Sequence, residues 1–247
     1  MYKYKGMISV EFEFEHLSWS YSQLKEFRNN LLNEYKDKIK NFSIKPDISL
    51  LNAGIELTGS LTPFYNWYPV LEELYKNNFV MTKRTGIHVH FDVTDKITNV
   101  NDLKKLTVNI NEAQMNRIFN IKRNLNSFHN IYPPAVLSKL MSTYTIENFA
   151  YEYLFQFRGK PIINVKNALM LKGLEHEHWV DISPILRYLL KCPEKDRKGF
   201  SKAAGSIELR YSLIGSDDIG RLYEKLNIEK IKEIVFDIMK MFKFLMK

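Results

Sequence analysis

Four segments of the chain carry charged or imidazole side chains, most of them at alternate positions. In a β-strand, alternate side chains point to the same face, so each segment is expected to be a strand with one polar face. If the four strands are neighbours, their polar faces form one acidic surface with an arginine and two histidines at its edge. The residues concerned are Glu11, Glu13, Glu56, His88, His90, Glu208 and Arg210.

Such a surface has a definite chemistry. Packed carboxylates repel one another, and burial increases the repulsion, so they are tolerated when cations neutralise them. Oxygen ligands with an imidazole suit Mg²⁺ or Mn²⁺, and Mg²⁺ completes its shell from water and substrate phosphates. The pattern therefore predicts a platform for two ions and a nucleotide such as ATP. The planar guanidinium of Arg210 suits a substrate carboxylate.

Each element alone also has an ordinary interpretation. An alternating strand with a solvated polar face is common, and Glu15 is expected to be such a surface residue. The H-x-H pair could equally be a zinc pair or a buried structural pair. Lys83 and Arg84 precede the H-x-H strand and could reach phosphate, although such residues are more often plain surface. Residues 175–178 (E-H-E-H) fit an exposed loop, or a lid over the site.

The elements that would position these residues alternate irregularly between strand and helix. This order favours an α+β fold with a largely antiparallel sheet, built as a single domain over residues 1–247. Strands are predicted over 8–15, 42–44, 54–60, 85–92 and 206–213. Helices are predicted over 18–40, 66–78, 101–120, 135–141, 146–157, 182–191 and from 217 to the C-terminus, with a break near Asn227.

Composition narrows the class of protein. The chain has 247 residues, 45% hydrophobic and 26% charged, as expected of a globular protein. The net charge of +8 comes from lysines spread along the chain, which suits an anionic small molecule better than nucleic acid. The single cysteine, Cys192, excludes an intrachain disulfide and fits the cytoplasm. No apolar run is long enough to cross a bilayer, so no membrane association is expected.

The four segments, in this order, resemble the amidoligase family of the glutamine synthetase-like superfamily of carboxylate–amine ligases. The strand S-V-E-F-E is similar to the family's G-x-E-x-E, with Ser9 in place of glycine. D-I-S followed by G-I-E-L-T-G-S is similar to D-x-S and G-x-E-x-x-S, although relatives continue with S-P-P. G-I-H-V-H and I-E-L-R are the most specific matches. The resemblance spans residues 8–212.

The resemblance implies a fold and a metal site. The fold would be a curved, largely antiparallel sheet with helices on one face, like the catalytic domain of glutamine synthetase. Glu11, Glu13 and Glu56 look like metal ligands. His88 and Glu208 look like ligands of the metal nearer the ATP phosphates. The ions would be Mg²⁺ or Mn²⁺.

The resemblance also implies a reaction. ATP would phosphorylate a carboxylate, and an amine would attack the acyl phosphate to give an amide or peptide bond. His90 would lie near the phosphates together with Lys83 and Arg84. Arg210 would hold the acid substrate or stabilise the transferred phosphoryl group.

Two other functions remain open from the sequence. A glutamine synthetase-like fold can lose its activity and serve as a binding or structural protein. Acids, histidines and basic surplus also fit a metal-dependent hydrolase or nuclease, although no concentrated basic stripe supports it. The acid and amine substrates could be small molecules, peptides or proteins, and the oligomeric state is open.

Overall fold

The computed structural model describes residues 8–47, 50, 53–61, 63–115, 132–158, 161–170, 179–192, 205–212 and 223–247. Its strands are β1 Ile8–His16, β2 Ser43–Pro46, β3 Ala53–Ser60, β4 Val80–Thr82, β5 Gly86–Asp92, β6 Val180–Asp181, β7 Ser206–Ser212 and β8 Tyr223–Lys225. Its α-helices are α1 Tyr21–Tyr35, α2 Tyr68–Lys76, α3 Val100–Met115, α4 Pro134–Ser142, α5 Ile146–Arg158, α6 Val165–Leu169, α7 Ser183–Leu189 and α8 Ile228–Leu245. A short 3₁₀ helix, Phe64–Trp67, precedes α2.

The strands form one open sheet. Its order is β2-β3-β1-β5-β7-β6, and β4 lies off this path, pairing with both β1 and β8. The pairings of β1 with β3 and β4, of β2 with β3, of β4 with β8 and of β6 with β7 are antiparallel. The predicted α+β class with a largely antiparallel sheet is therefore confirmed. Its assignment to the glutamine synthetase-like fold stays a prediction.

The chain divides into two compact units. The first contains the described parts of 1–89 and 210–239, and the second contains those of 90–120, 126–209 and 240–247. Strands β5 and β7 and helix α8 contribute residues to both. This division does not test the expectation of a single catalytic domain over the whole chain, which stays a prediction.

The core of the first unit begins with the alternation of β1. Val10, Phe12 and Phe14 are fully buried, so the glutamates between them face the other side of the strand. Trp67 packs edge-on against Phe12, with ring centroids 4.9 Å apart, and its indole N–H donates to the Ser60 carbonyl. One face of β1 is thus packed in the core, and the opposite face carries the polar side chains.

Helix α1 is shorter than predicted. It begins at Tyr21 because Ser20 forms a capping box: the Ser20 hydroxyl accepts from the Gln23 amide, and the Gln23 side chain accepts from the Ser20 amide. It ends at Tyr35, before Asn41 takes a left-handed conformation with φ 60°. The last periodic apolar residue, Ile39, therefore lies beyond the helix, since apolar spacing alone does not mark where a helix stops.

The second unit has a helical core of its own. Its largest buried side chains include Phe149 and Tyr153 of α5 and Trp179 just before β6. Phe91 of β5 stacks on Phe242 of α8, with ring centroids 3.9 Å apart and nearly parallel planes. The pairing of β6 with β7 belongs to this unit, with Val180 opposite Leu209 and Asp181 opposite Glu208.

Two sequence-based expectations are wrong. Residues 223–225, predicted as helix, form strand β8, because they pair with β4. The predicted break near Asn227 marks the start of α8, where the Asn227 side chain accepts from the Lys230 amide. Glu15, expected to be exposed, is only 2% exposed, and it lies opposite Val80 of β4. Strand β4 was not predicted, which is why this burial was missed.

The segment 175–178, a candidate loop or lid in the sequence, lies outside the described residues. Among the helices that the structure describes, none combines the length and the apolar character needed to cross a membrane.

Candidate functional site

The first unit carries a polar row across three neighbouring strands. Glu13 of β1 lies directly opposite Glu56 of β3, which lies opposite Lys45 of β2. Directly opposed residues of antiparallel strands project to the same face. Glu11 also belongs to this face because it is two residues from Glu13 on the same strand. We call the set Glu11, Glu13, Glu56 and His88 the acidic row.

His88 of β5 joins the two glutamates of β1. Its Nδ1 lies 3.5 Å from Oε2 of Glu11, and its Nε2 lies 3.7 Å from Oε2 of Glu13. The histidine is 5% exposed, whereas the side chain of Glu11 is 30% exposed. The row therefore runs from a buried imidazole towards solvent, which leaves an approach for a ligand.

The carboxyl groups of the row are held in an unfavourable environment. Burial raises the pKa of Glu13, and the neighbouring charges of Asp47 and Glu11 add to the rise, whereas His88 and Arg210 oppose it. Burial also raises the pKa of Glu56, with Glu11 and Glu13 acting in the same direction and Lys45 opposing them. Both carboxyls therefore gain from a nearby positive charge.

Gly86, at the start of β5, makes room for this arrangement. A Cβ at this position would lie 3.0 Å from the Tyr211 carbonyl oxygen, 3.2 Å from Oε2 of Glu13 and 3.2 Å from Nε2 of His88. Any larger residue would press on the carboxylate and the imidazole together. The close packing of Glu13 and His88 therefore explains why a glycine begins the H-x-H strand.

The donor set fits a hard divalent cation. Three carboxylates and one imidazole on a single face offer mostly oxygen ligands, which is the preference of Mg²⁺ and Mn²⁺. The residues of this unit that could contribute ligands to such ions are Glu11, Glu13, Glu56 and His88. His88 faces Glu11 with Nδ1 and Glu13 with Nε2, so each of its nitrogens is directed at a different carboxylate. Arg210 of β7 is 4% exposed and acts electrostatically on Glu13, so it supplies a buried positive charge beside the row.

The second unit contains two other predicted site residues. His90 of β5 has its Nε2 4.0 Å from Oε1 of Glu208, and both residues are buried. Asp181 lies opposite Glu208 in the pairing of β6 with β7, is fully buried, and accepts from the Ser183 amide at 2.8 Å. This unit therefore has its own close pair of carboxyl groups with an imidazole beside one of them.

The predicted phosphate contacts lie in a turn. Lys83 and Arg84 are exposed and connect β4 to β5. The turn is tied together by Thr82 and Thr85: the Thr85 hydroxyl donates to the Thr82 carbonyl and accepts from the Thr82 amide. The role of Lys83 and Arg84 at a phosphate stays a prediction.

Three polar residues of these strands were missed or ranked low from the sequence. Lys45 lies one residue beyond the predicted end of a short strand, and the alternation in S-I-K would have placed it on the polar face. Asp47 begins the D-I-S segment and is not among the predicted site residues, although it acts electrostatically on Glu13 and Glu56. Asp181 belongs to a strand of two residues, which is too short to produce a recognisable alternation.

A cavity of about 360 Å³ in the first unit lies apart from the acidic row. Its walls include His16, Phe79, Tyr223 and Lys225, none of which belongs to the row. The chemistry of the residues in the acidic row, and not this cavity, identifies the row as the candidate site.

No protein-family model matches this chain, and a search of curated proteins gives no significant match.

Proposed function

We propose that the protein is an ATP-dependent carboxylate–amine ligase whose acidic row binds Mg²⁺ or Mn²⁺. The observation that supports the proposal most is the convergence of three carboxylates and His88 on one face of β1, β3 and β5. The order of motifs along the chain, which resembles that of the amidoligases, supports the choice of reaction.

In this proposal each residue of the row has a distinct role in binding. Glu11, Glu13 and Glu56 would bind one cation through carboxylate oxygens, and His88 would contribute an imidazole nitrogen to the cation nearer the phosphates. A bound divalent cation supplies charge neutralisation for the phosphates of the nucleotide. Arg210 binds the acid substrate, because a guanidinium pairs with a carboxylate through two parallel hydrogen bonds.

The proposed reaction has two steps. The substrate carboxylate attacks the γ-phosphorus of ATP, forming an acyl phosphate and releasing ADP. The amine then attacks the acyl carbon, forming the amide bond and releasing inorganic phosphate and a proton. The chain needs no covalent catalyst for this, since phosphoryl transfer depends mainly on position and charge.

The roles of residues in the second unit extend the proposal. Glu208 is proposed as a ligand of the cation nearer the phosphates, and His90 as a phosphate neighbour. These two assignments rest on the resemblance and can be tested separately from the acidic row.

The first experiment measures cation binding directly. Isothermal titration of the purified chain with Mn²⁺ is expected to give saturable binding that Glu13→Gln weakens at least tenfold. Glu34→Gln is the matched control, because Glu34 is an exposed acid of the first unit that pairs with Lys38, just beyond the end of α1. Equal Mn²⁺ affinity in the wild type and Glu13→Gln would refute the proposed site.

The second experiment tests the reaction. ADP release from Mg-ATP is measured with pools of carboxylic acids and amines, and it is expected to require both and to be lost in Glu13→Ala and Glu208→Ala. Binding of Mn²⁺ without ADP release under any pair would instead support the alternative function, an inactive member of this fold that serves as a binding or structural protein.

A further inference from the structure

Lys45 is the basic neighbour of the acidic row at the edge of the sheet. Its Nζ lies 3.5 Å from Oε1 of Glu56, the residue directly opposite on β3. The Lys45 side chain is 60% exposed, whereas that of Glu56 is 24% exposed. The ammonium group therefore lies beside the end of the row formed by Glu56, towards β2.

The Lys45–Glu56 pair is separate from the other polar pair on these two strands. Ser43 and Thr58 bond to each other through their hydroxyls at 2.6 Å. An exposed ion pair such as Lys45–Glu56 contributes little to stability, so its lysine can leave Glu56 at small cost. The flexible four-carbon stem lets the ammonium move while β2 stays in the sheet.

A divalent cation bound by Glu56 competes with this ammonium. The two positive charges repel each other across the shared carboxylate, which favours displacement of Lys45 from Glu56 by the cation. The displaced ammonium remains tethered to β2, beside the row. There it is close to whatever anion completes the shell of the cation, and an ammonium is a common phosphate-binding group.

We propose that Lys45 exchanges partners: it neutralises Glu56 in the cation-free protein and binds a phosphate group of the nucleotide when a divalent cation occupies the acidic row. This inference rests on the proposed cation site and adds to it a residue that selects anionic ligands. It also gives opposite signs to the effects of Lys45 on the two ligands, which a purely structural role would not produce.

The test compares Lys45→Met with Lys38→Met. Lys38 is the matched control because its Nζ also lies 3.5 Å from a glutamate, Glu34, and its side chain is 57% exposed, but its partner belongs to α1 and not to the row. Isothermal titration first measures the affinity for Mn²⁺ alone. A second titration, at saturating Mn²⁺, measures the affinity for ADP.

Lys45→Met is expected to bind Mn²⁺ about 2- to 5-fold more tightly, because the competing charge is gone. The same variant is expected to bind ADP about 5- to 10-fold more weakly at saturating Mn²⁺, because a charged donor to phosphate is lost. Lys45→Arg is expected to restore most of the ADP affinity. Lys38→Met is expected to match the wild type in both titrations.

Each other outcome is decisive. If the wild type binds Mn²⁺ and Lys45→Met changes neither affinity, the partner exchange is refuted while the cation site stands. Any other combination refutes it as well: a weaker Mn²⁺ affinity in Lys45→Met, a change in only one of the two affinities, or a wild type that binds Mn²⁺ but no ADP. If the wild type binds no Mn²⁺, the proposed function and the exchange fail together. Equal melting temperatures of the wild type and the variants establish that the fold is intact.

Discussion

Glu13 and Glu56 lie directly opposite each other on the antiparallel strands β1 and β3. Like charges in this position destabilise a sheet, and burial raises the pKa of both carboxyls. A chain selected for stability alone would not keep this pair. The relationship therefore indicates a cost in stability, which the proposed cation would remove, and it yields measurable consequences.

The first prediction concerns stability without metal. In the presence of a chelator at pH 7, Glu13→Gln should raise the free energy of unfolding by roughly 0.5–1 kcal/mol, because one of two opposed charges is removed. Chemical denaturation followed by circular dichroism measures this. Glu34→Gln should leave the value unchanged or slightly lower. A loss of stability in Glu13→Gln would mean that Glu13 has favourable contacts that outweigh the repulsion.

The second prediction concerns pH. Because the pKa values of Glu13 and Glu56 are raised in the folded protein, their contribution to stability is fully present below the ordinary value of 4.5 and is lost as the pH rises through the folded values. The stability of the wild type minus that of the double variant Glu13→Gln, Glu56→Gln should therefore fall as the pH rises above 4.5. Saturating Mg²⁺ should abolish this fall.

The third prediction concerns Gly86. Gly86→Ala should lower Mn²⁺ affinity about tenfold, since the new Cβ would press on the Glu13 carboxylate and His88. The contrasting variant is Gly59→Ala on the core face, whose Cβ would meet Ile39 at 2.9 Å and Trp67 at 3.1 Å. Gly59→Ala should lower the melting temperature without changing Mn²⁺ affinity. Unchanged Mn²⁺ affinity in Gly86→Ala would contradict the tight fit.

The fourth prediction concerns His16, which lies on the core face of β1. Its Nδ1 accepts from the Trp19 amide at 3.1 Å, its ring stacks on Trp19, and burial lowers its pKa. Because the pKa of His16 is lowered in the folded protein, its contribution to the free energy of unfolding is fully present above pH 6.5, the ordinary pKa of histidine. That contribution is lost as the pH falls below this value. His16→Asn, which keeps an acceptor near Nδ1, should be less stable at pH 7 but lose less stability between about pH 7 and pH 5. Thermal melts across this range measure the difference.

For the four described strands of seven or more residues, the sequence was sufficient to predict which side chains share a face. In β1, β3, β5 and β7 the polar and apolar positions are separated by the pleat itself, so the faces of Glu13, Glu56 and His88 follow from the alternation alone. The neighbours of these strands were not predictable from spacing, because register depends on long-range pairing.

Short strands were the main failure. Val80–Thr82 and Tyr223–Lys225 are too short for a periodic pattern, and they are held by pairing with each other and, for β4, with β1. As a consequence the burial of Glu15 and the structure of residues 223–225, which were predicted as helix, were both misjudged. The role of Lys45 was missed for a related reason, since its contact with Glu56 depends on a strand of four residues.

Strand β2 also bears on how copies of this chain behave in concentrated solution. It is the first strand in the sheet order, so one of its edges has no neighbour among the described strands. An open edge invites pairing with another chain, and charged residues and proline are the usual safeguards. Lys45 and Pro46 are two such safeguards at adjacent positions of β2. The proline has no amide hydrogen to donate to another strand, and the charge of the lysine would repel Lys45 of a second copy. Replacing Lys45 and Pro46 by valine and threonine would leave an edge strand that can pair with another chain, and would promote aggregation.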